Sequence, residues 1–285
     1  MSIEASSIFD ETRCKLGEGP MWHPLRKQFF WFDIDGHRLF MRDGDALKTW
    51  EFGQYVSAAG WIDAETLLVA NDKDLTRFSI ETGARESVCP LEADNPATRC
   101  NDGRADPHGG FWIGTMALDH GEGAGAIYRY YRGELRRIYA NISIPNAQCF
   151  AVDGSFLLWA DTPKGIVWKQ RLDSAHGWPD GEPEVFLDLP GESYRPDGAV
   201  IDADGNFWCA HHRHGKVTCH APDGTETLSL AAPQTFVTCP AFGGEDMKSM
   251  IVTSADRGAV DDEAGGMTAI LSPGATGHPE PKVIL

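Results

Sequence analysis

A short apolar strand, often aromatic, returns along this chain at a nearly constant interval. It occupies residues 29–32, 66–69, 111–113, 156–159, 207–209 and 250–252. With Trp31, Leu68, Trp112, Trp159, Trp208 and Ile251 as markers, successive spacings are 37, 44, 47, 49 and 43 residues. An interval of that size, filled by several short strands, is the period of a β-propeller blade. Most copies follow a turn such as Asp153-Gly154-Ser155 or Asp202-Ala203-Asp204-Gly205. There Gly takes positive φ and Asp bonds back to nearby backbone. A second run follows the marker, at 125–130, 165–170 and 215–219, and alternates apolar with polar as a half-buried strand does. No stretch sustains a helical period. The repeat predicts an all-β fold, a six-bladed β-propeller, with residues 1–285 in one domain. A radial array leaves few open strand edges, whereas a pair of β-sandwiches has no reason to keep so long a period. Ring closure is expected to pair an N-terminal strand at residues 8–16 with the last blade near residues 282–285.

Composition limits the partners. The net charge of −17 argues against nucleic acid or an anionic membrane surface, since both need clustered Lys and Arg. No run approaches the roughly 18 apolar residues of a membrane span. The first ten residues lack the basic and apolar regions of a secretory signal. Seven Cys without a Cys-x-x-Cys pair fit a reducing compartment. Cys149, Cys209 and Cys239 are expected as buried small residues. The expectation is a cytoplasmic protein, a monomer or weak oligomer.

Against this apolar pattern, a few polar residues stand at matching places. Glu18 lies between Gly17 and Gly19, Asn101 in Arg99-Cys100-Asn101-Asp102-Gly103, Asn146 in Pro145-Asn146-Ala147, and Asp197 in Pro196-Asp197-Gly198. Each precedes a marker by 11 to 13 residues. Loops from different blades converge on a propeller axis, so equivalent positions meet there. Two carboxylates and an amide oxygen with open positions suit a hard cation such as Ca²⁺, Mg²⁺ or Mn²⁺; read singly, each motif is also an ordinary turn. Asp102 is expected to brace its own turn. In His211-His212-Arg213-His214, the first two rings point to opposite faces of a strand and do not share one ion. They are expected at the channel mouth or on a loop. Residues 261–266 read as a flexible rim. The absence of Gly-x-Ser-x-Gly argues against a serine hydrolase.

The set Leu-Gly-Glu-Gly-Pro from Leu16, Arg-x-Asn-Asp-Gly from Arg99, Gly-Thr-Met from Gly114, and Pro-Asp-Gly from Pro196 with its Asp-x-Gly-x-x-Trp strand resembles the SMP-30/gluconolactonase/regucalcin family. The resemblance runs from about Leu16 to Ala255. It implies a six-bladed propeller holding one divalent ion on its axis: Ca²⁺, Zn²⁺, Mn²⁺, Mg²⁺ or Fe²⁺. It further implies hydrolysis of a sugar lactone to the aldonic acid, in a sugar oxidation pathway. On that resemblance Glu18, Asn146 and Asp197 are the metal ligands and Asp197 also the general base. Arg99, Asn101 and Asp119 would hold the substrate. Two features depart from the family: Pro145-Asn146-Ala147 replaces the usual Ser-Asn-Gly, and Asp119 stands where Glu is frequent. Two other readings stay open, a metal-binding regulatory propeller without turnover, and phosphoester cleavage on the same scaffold.

Overall fold

The computed structural model describes residues 6–189 and 195–285. They form six four-stranded antiparallel sheets arranged as a β-propeller, with one 3₁₀ turn, Thr162–Lys164, as the only helical element among the described residues. The inner strands are Gly17–His23, Val56–Asp63, Thr98–Ala105, Pro145–Phe150, Pro196–Ile201 and Val237–Gly243. Burial falls from axis to rim. Every residue of Gly17–His23 and Gln28–Asp33 is buried, while the outermost strands Arg85–Pro90 and Glu226–Ala231 are mostly exposed. The aromatic markers are therefore the second strands, sandwiched between neighbouring sheets and free of polar duty. The inner strands are equally buried but begin with polar residues, so the sequence shows them only faintly.

An apolar core fills each seam between blades. Phe30, Phe32 and Leu39 of the first blade pack on Val56, Leu67 and Phe78 of the second. Trp22 and Phe29 meet Ala241 and Ile251 across the closing seam. Each such side chain contributes about 1.5–3 kcal/mol by leaving water. Turns with a buried Asp at their head repeat in the third and fifth blades. Asp106 Oδ1 accepts from the His108 and Gly110 amides and Oδ2 from Trp112 Nε1 at 2.8 Å; Asp202 does the same for Asp204, Asn206 and Trp208.

Ring closure differs from the sequence expectation. The closing strand is Ser6–Asp10, and it pairs with Thr268–Leu271 rather than with residues 282–285. Phe9 then sets its ring edge-on to Phe29, and Asp10 pairs with Arg42 at 2.9 Å, so this strand joins the last blade to the first. The C-terminal residues do something else. Val283 donates its amide to the Trp61 carbonyl, Ile284 to that of Gly109, and Glu280 pairs with the buried Arg104. Trp61 and Arg104 lie near the C-terminal ends of inner strands and Gly109 in the turn after one, so the tail covers one end of the channel. Residues 261–266 are also anchored rather than loose: Arg13 donates to the Glu263 and Gly265 carbonyls, and Asp262 accepts from the Thr235 amide. Deleting residues 1–10 is expected to lower the melting temperature by about 5–10 °C. Calorimetry giving an unchanged midpoint would show that the last blade closes without its borrowed strand.

Candidate functional site

Each inner strand slips register near its start. The irregularity falls between Glu18 and Met21, Val56 and Ala58, Cys100 and Gly103, Asn146 and Cys149, Pro196 and Ala199, and Val237 and Pro240. A bulge re-aims the side chains beside it. Glu18 and Asn146 are the last paired residues before the slip, opposite Phe32 and Ala160; Asn101 and Asp197 lie inside it. Four blades thus turn a polar side chain toward the axis at the end remote from the tail. Glycine allows the close approach this needs. Gly19 has φ 52° and a Cβ there would overlap the Ser57 carbonyl; a Cβ on Gly198 would collide with Cys239. At the corresponding bend beside Asn146 the chain has Ala147, held at φ 58° and fully buried. A non-glycine residue in that region costs roughly 1 kcal/mol. The fold keeps the bend without the glycine.

The four residues line a cavity of about 750 Å³, together with Arg99, Thr162, Arg195, His212, Arg213 and Arg257. One hydrogen-bond chain fixes its floor. Arg99 Nη1 donates to Asn101 Oδ1 at 2.8 Å, and Asn101 Nδ2 donates to Asn146 Oδ1 at 3.2 Å and to the Pro145 carbonyl at 2.9 Å. Asn146 Nδ2 donates to Thr162 Oγ1, whose own proton goes to the Pro196 carbonyl, both at 2.8 Å. Arg only donates and a carbonyl only accepts, so both amides have one orientation. Asn146 keeps a lone pair on Oδ1, the atom a hard cation takes.

Both carboxylates are uncomfortable as anions. Burial, then the charges of Asp197 and Asp102, push the Glu18 carboxyl well above its ordinary range. Burial and Asp102 do the same to Asp197, against the opposing pull of Arg257, the Gly198 amide and Arg99. His212 sits beside Asp197, with Nδ1 3.4 Å from Oδ2 and 3.3 Å from the Val237 carbonyl. Burial and Arg257 lower its pKa to about 4, so it is neutral near physiological pH. The Val237 carbonyl only accepts, so Nδ1 carries the hydrogen.

The structure brings Glu18, Asn146, Asp197, Arg99 and Asn101 together. It does not bring in Asp119, which is exposed and accepts from the Gly121 amide at 2.9 Å; its neighbour His120 lines the cavity instead. Asn101 is committed to Arg99, Pro145 and Asn146, which makes it a brace for the floor. Asp102 braces the next blade rather than its own turn, accepting from the Gln148 amide at 2.8 Å. Cys149, Cys209 and Cys239 are buried, with thiols pushed up by burial. Sequence reasoning missed Thr162, Arg195, Arg213 and Arg257. A basic residue just after a second strand, as in His211-His212-Arg213, was the available signal.

Residues 16–256 match the SMP-30/gluconolactonase/LRE-like region. The chain belongs to that family. A solved structure of a calcium-binding protein, regucalcin, from Agrobacterium tumefaciens superposes with a TM-score of 0.95 at 35% identity, covering 98% of this chain and 97% of that one. A pentonolactonase of Haloferax volcanii is 32% identical over 282 residues, 95% of each chain. An L-arabinolactonase of Azospirillum brasilense is 30% identical over 265 residues, 90% of this chain and 86% of that protein.

The donor set of this family member fits a divalent cation. Two buried carboxylates, each costly to ionise, beside an oriented amide oxygen, are relieved by a doubly charged ion with oxygen preference. Among the described residues no group of three or more His, Cys, Asp or Glu is placed to hold an ion, so the fit here depends on Asn146 Oδ1 as a third donor beside the two carboxylates. A carboxyl whose folded pKa exceeds its unfolded one binds more protons when folded. Its contribution to stability therefore falls as pH rises from the ordinary carboxylate range toward the folded value. Metal-free Asp197→Asn should accordingly melt above metal-free wild type at neutral pH, by about 2–4 °C per kcal/mol relieved. Excess Ca²⁺ or Mn²⁺ should raise the wild-type midpoint by about 5–10 °C and leave the variant unmoved. A variant that melts lower than wild type without metal would contradict the electrostatic account.

Proposed function

We propose that this chain is a metal-dependent sugar lactonase, opening an aldonolactone to the aldonic acid in sugar oxidation. The observation that carries the reading is the axial set of Glu18, Asn146 and Asp197 with the Arg99 guanidinium in the same cavity. The sugar lactonases among its relatives, at 30% and 32% identity over most of the chain, support it. A divalent cation on these oxygens would supply Lewis-acid polarisation of the lactone carbonyl and acidify water. Asp197 accepts a proton from the attacking water as the C–O bond forms, and the proton returns to the ring oxygen as the ester C–O bond breaks. His212, neutral and bonded through Nδ1 to the Val237 carbonyl, packs 3.4 Å from Asp197 Oδ2 and limits where that carboxylate can move. Arg99 keeps Nε and Nη2 for substrate oxygens, because among the described residues its bonds, to the Cys100 carbonyl and Asn101 Oδ1, are made by Nη1. Its positive charge also faces the oxyanion that develops.

Proton release from a panel of aldonolactones, with metal-stripped protein and each divalent ion restored in turn, tests the reading. Metal-dependent turnover is expected, with Asp197→Asn lowering kcat by about 10²–10⁴-fold. Tight binding of the ion with no lactone turned over would favour the second reading, a metal-binding propeller without turnover. The calcium-binding regucalcin that superposes on this chain motivates that alternative.

A further inference from the structure

The cavity and the chain have opposite charge. The protein as a whole carries −17, yet among the described residues the cavity is lined by four guanidinium groups, Arg99, Arg195, Arg213 and Arg257, and two carboxylates, Glu18 and Asp197, with Asp102 behind them. A divalent ion on those carboxylates balances them and leaves four guanidinium charges over. Two have evident work. Arg99 holds the floor through Asn101, and Arg195 donates to the Pro163 and Thr162 carbonyls. Arg213 and Arg257 have neither an ion pair nor a hydrogen bond among the described residues. Each follows the second strand of its blade, Phe207–His211 and Ser249–Ser254, so they flank the mouth on the side of Asp197. Arg257 is near enough for its charge to act on both Asp197 and His212.

A neutral sugar ring gives such a pair little to bind, since its hydroxyls are served as well by any polar side chain. A carboxylate, sulfonate or phosphate accepts paired hydrogen bonds from a guanidinium, with its charge matched. We propose that the substrate is a sugar lactone bearing a second anionic group remote from the ester, held by Arg213 and Arg257 at the cavity mouth. This rests on the lactonase reading and narrows it. The carboxylate formed on ring opening is a different group, because it arises at the axial oxygens and not at the mouth. A cavity of about 750 Å³ has room for a substituent beyond one ring.

The test compares kcat/KM of the metal-loaded protein for gluconolactone, its 6-phosphate and a glucarolactone, and then for the Arg213→Ala/Arg257→Ala double variant. The expected result is a preference of about tenfold or more for an anionic lactone. The double variant should lower the anionic-to-neutral ratio by about 10- to 100-fold, with the Lys pair restoring part of it. Whether the phosphate or the carboxylate gains more identifies the group. Equal use of neutral and anionic lactones, with a ratio the variant does not move, would overturn the proposal and leave the lactonase reading standing. If no lactone is opened, that reading fails instead, and calorimetry with glucarate and gluconate decides this one. Tighter binding of the dianion, lost in the double variant, supports the anion subsite; equal binding refutes it.

Discussion

A ring of sheets has to be closed by something other than another blade, and here the closure is made by Ser6–Asp10. Five residues from the start of the chain complete the last sheet against Thr268–Leu271, while Phe9 and Asp10 reach Phe29 and Arg42 of the first. Everything at the axis depends on that closure. Glu18 and Asp197 are 179 positions apart in the chain, and only a closed circle of inner strands holds both beside one cavity. The seam between Trp22, Phe29, Ala241 and Ile251 is the apolar half of the same constraint.

Closure brings the axial residues near one another, and a second device aims them. The bulge at the head of the inner strands breaks strict alternation, so a side chain that would face a neighbouring sheet faces the axis. The chain from Arg99 through Asn101, Asn146 and Thr162 to the Pro196 carbonyl then removes the freedom to flip an amide. Three blades contribute to it. A change at Thr162, which touches no reacting atom, therefore bears on how Asn146 presents its oxygen.

The period of the second strands was enough to read the fold, because those strands are buried on both faces and must be apolar throughout. The axial residues were legible for a related reason: Glu18, Asn101, Asn146 and Asp197 keep one offset of 11 to 13 residues from those apolar markers, so polar side chains from four blades fall at equivalent places. Register was harder. Trp31 and Trp159 lie two positions further along their strands than Trp112 and Trp208, since the latter pair with Arg104 and Val200 whereas Phe29 and Leu157 fill that place in the first and fourth blades. The closing partner was not legible at all. Thr268–Leu271 is short, and the apolar end at Val283 reads as a strand although it is a plug. Asp119 shows the limit of carrying a role by motif, for one residue of displacement in a rim loop turns its carboxylate out to solvent and puts His120 against the cavity.

That plug also bears on how costly the site's charges are. The tail seals the end where inner strands finish, with Glu280 paired to Arg104 and Val283 buried among Ala58, Ala105 and Phe111. Glu18 and Asp197 therefore line a channel covered at one end, with Asp102 buried beside them, and burial heads the causes that raise all three, Asp102 to about 6. An open tunnel would hydrate these carboxylates and lower the cost of their charge. In a blind one, solvent and charge enter from the same side. Arg213 and Arg257 stand at that single opening, where a local positive field in an acidic protein draws in anions and repels none of the chain's own carboxylates.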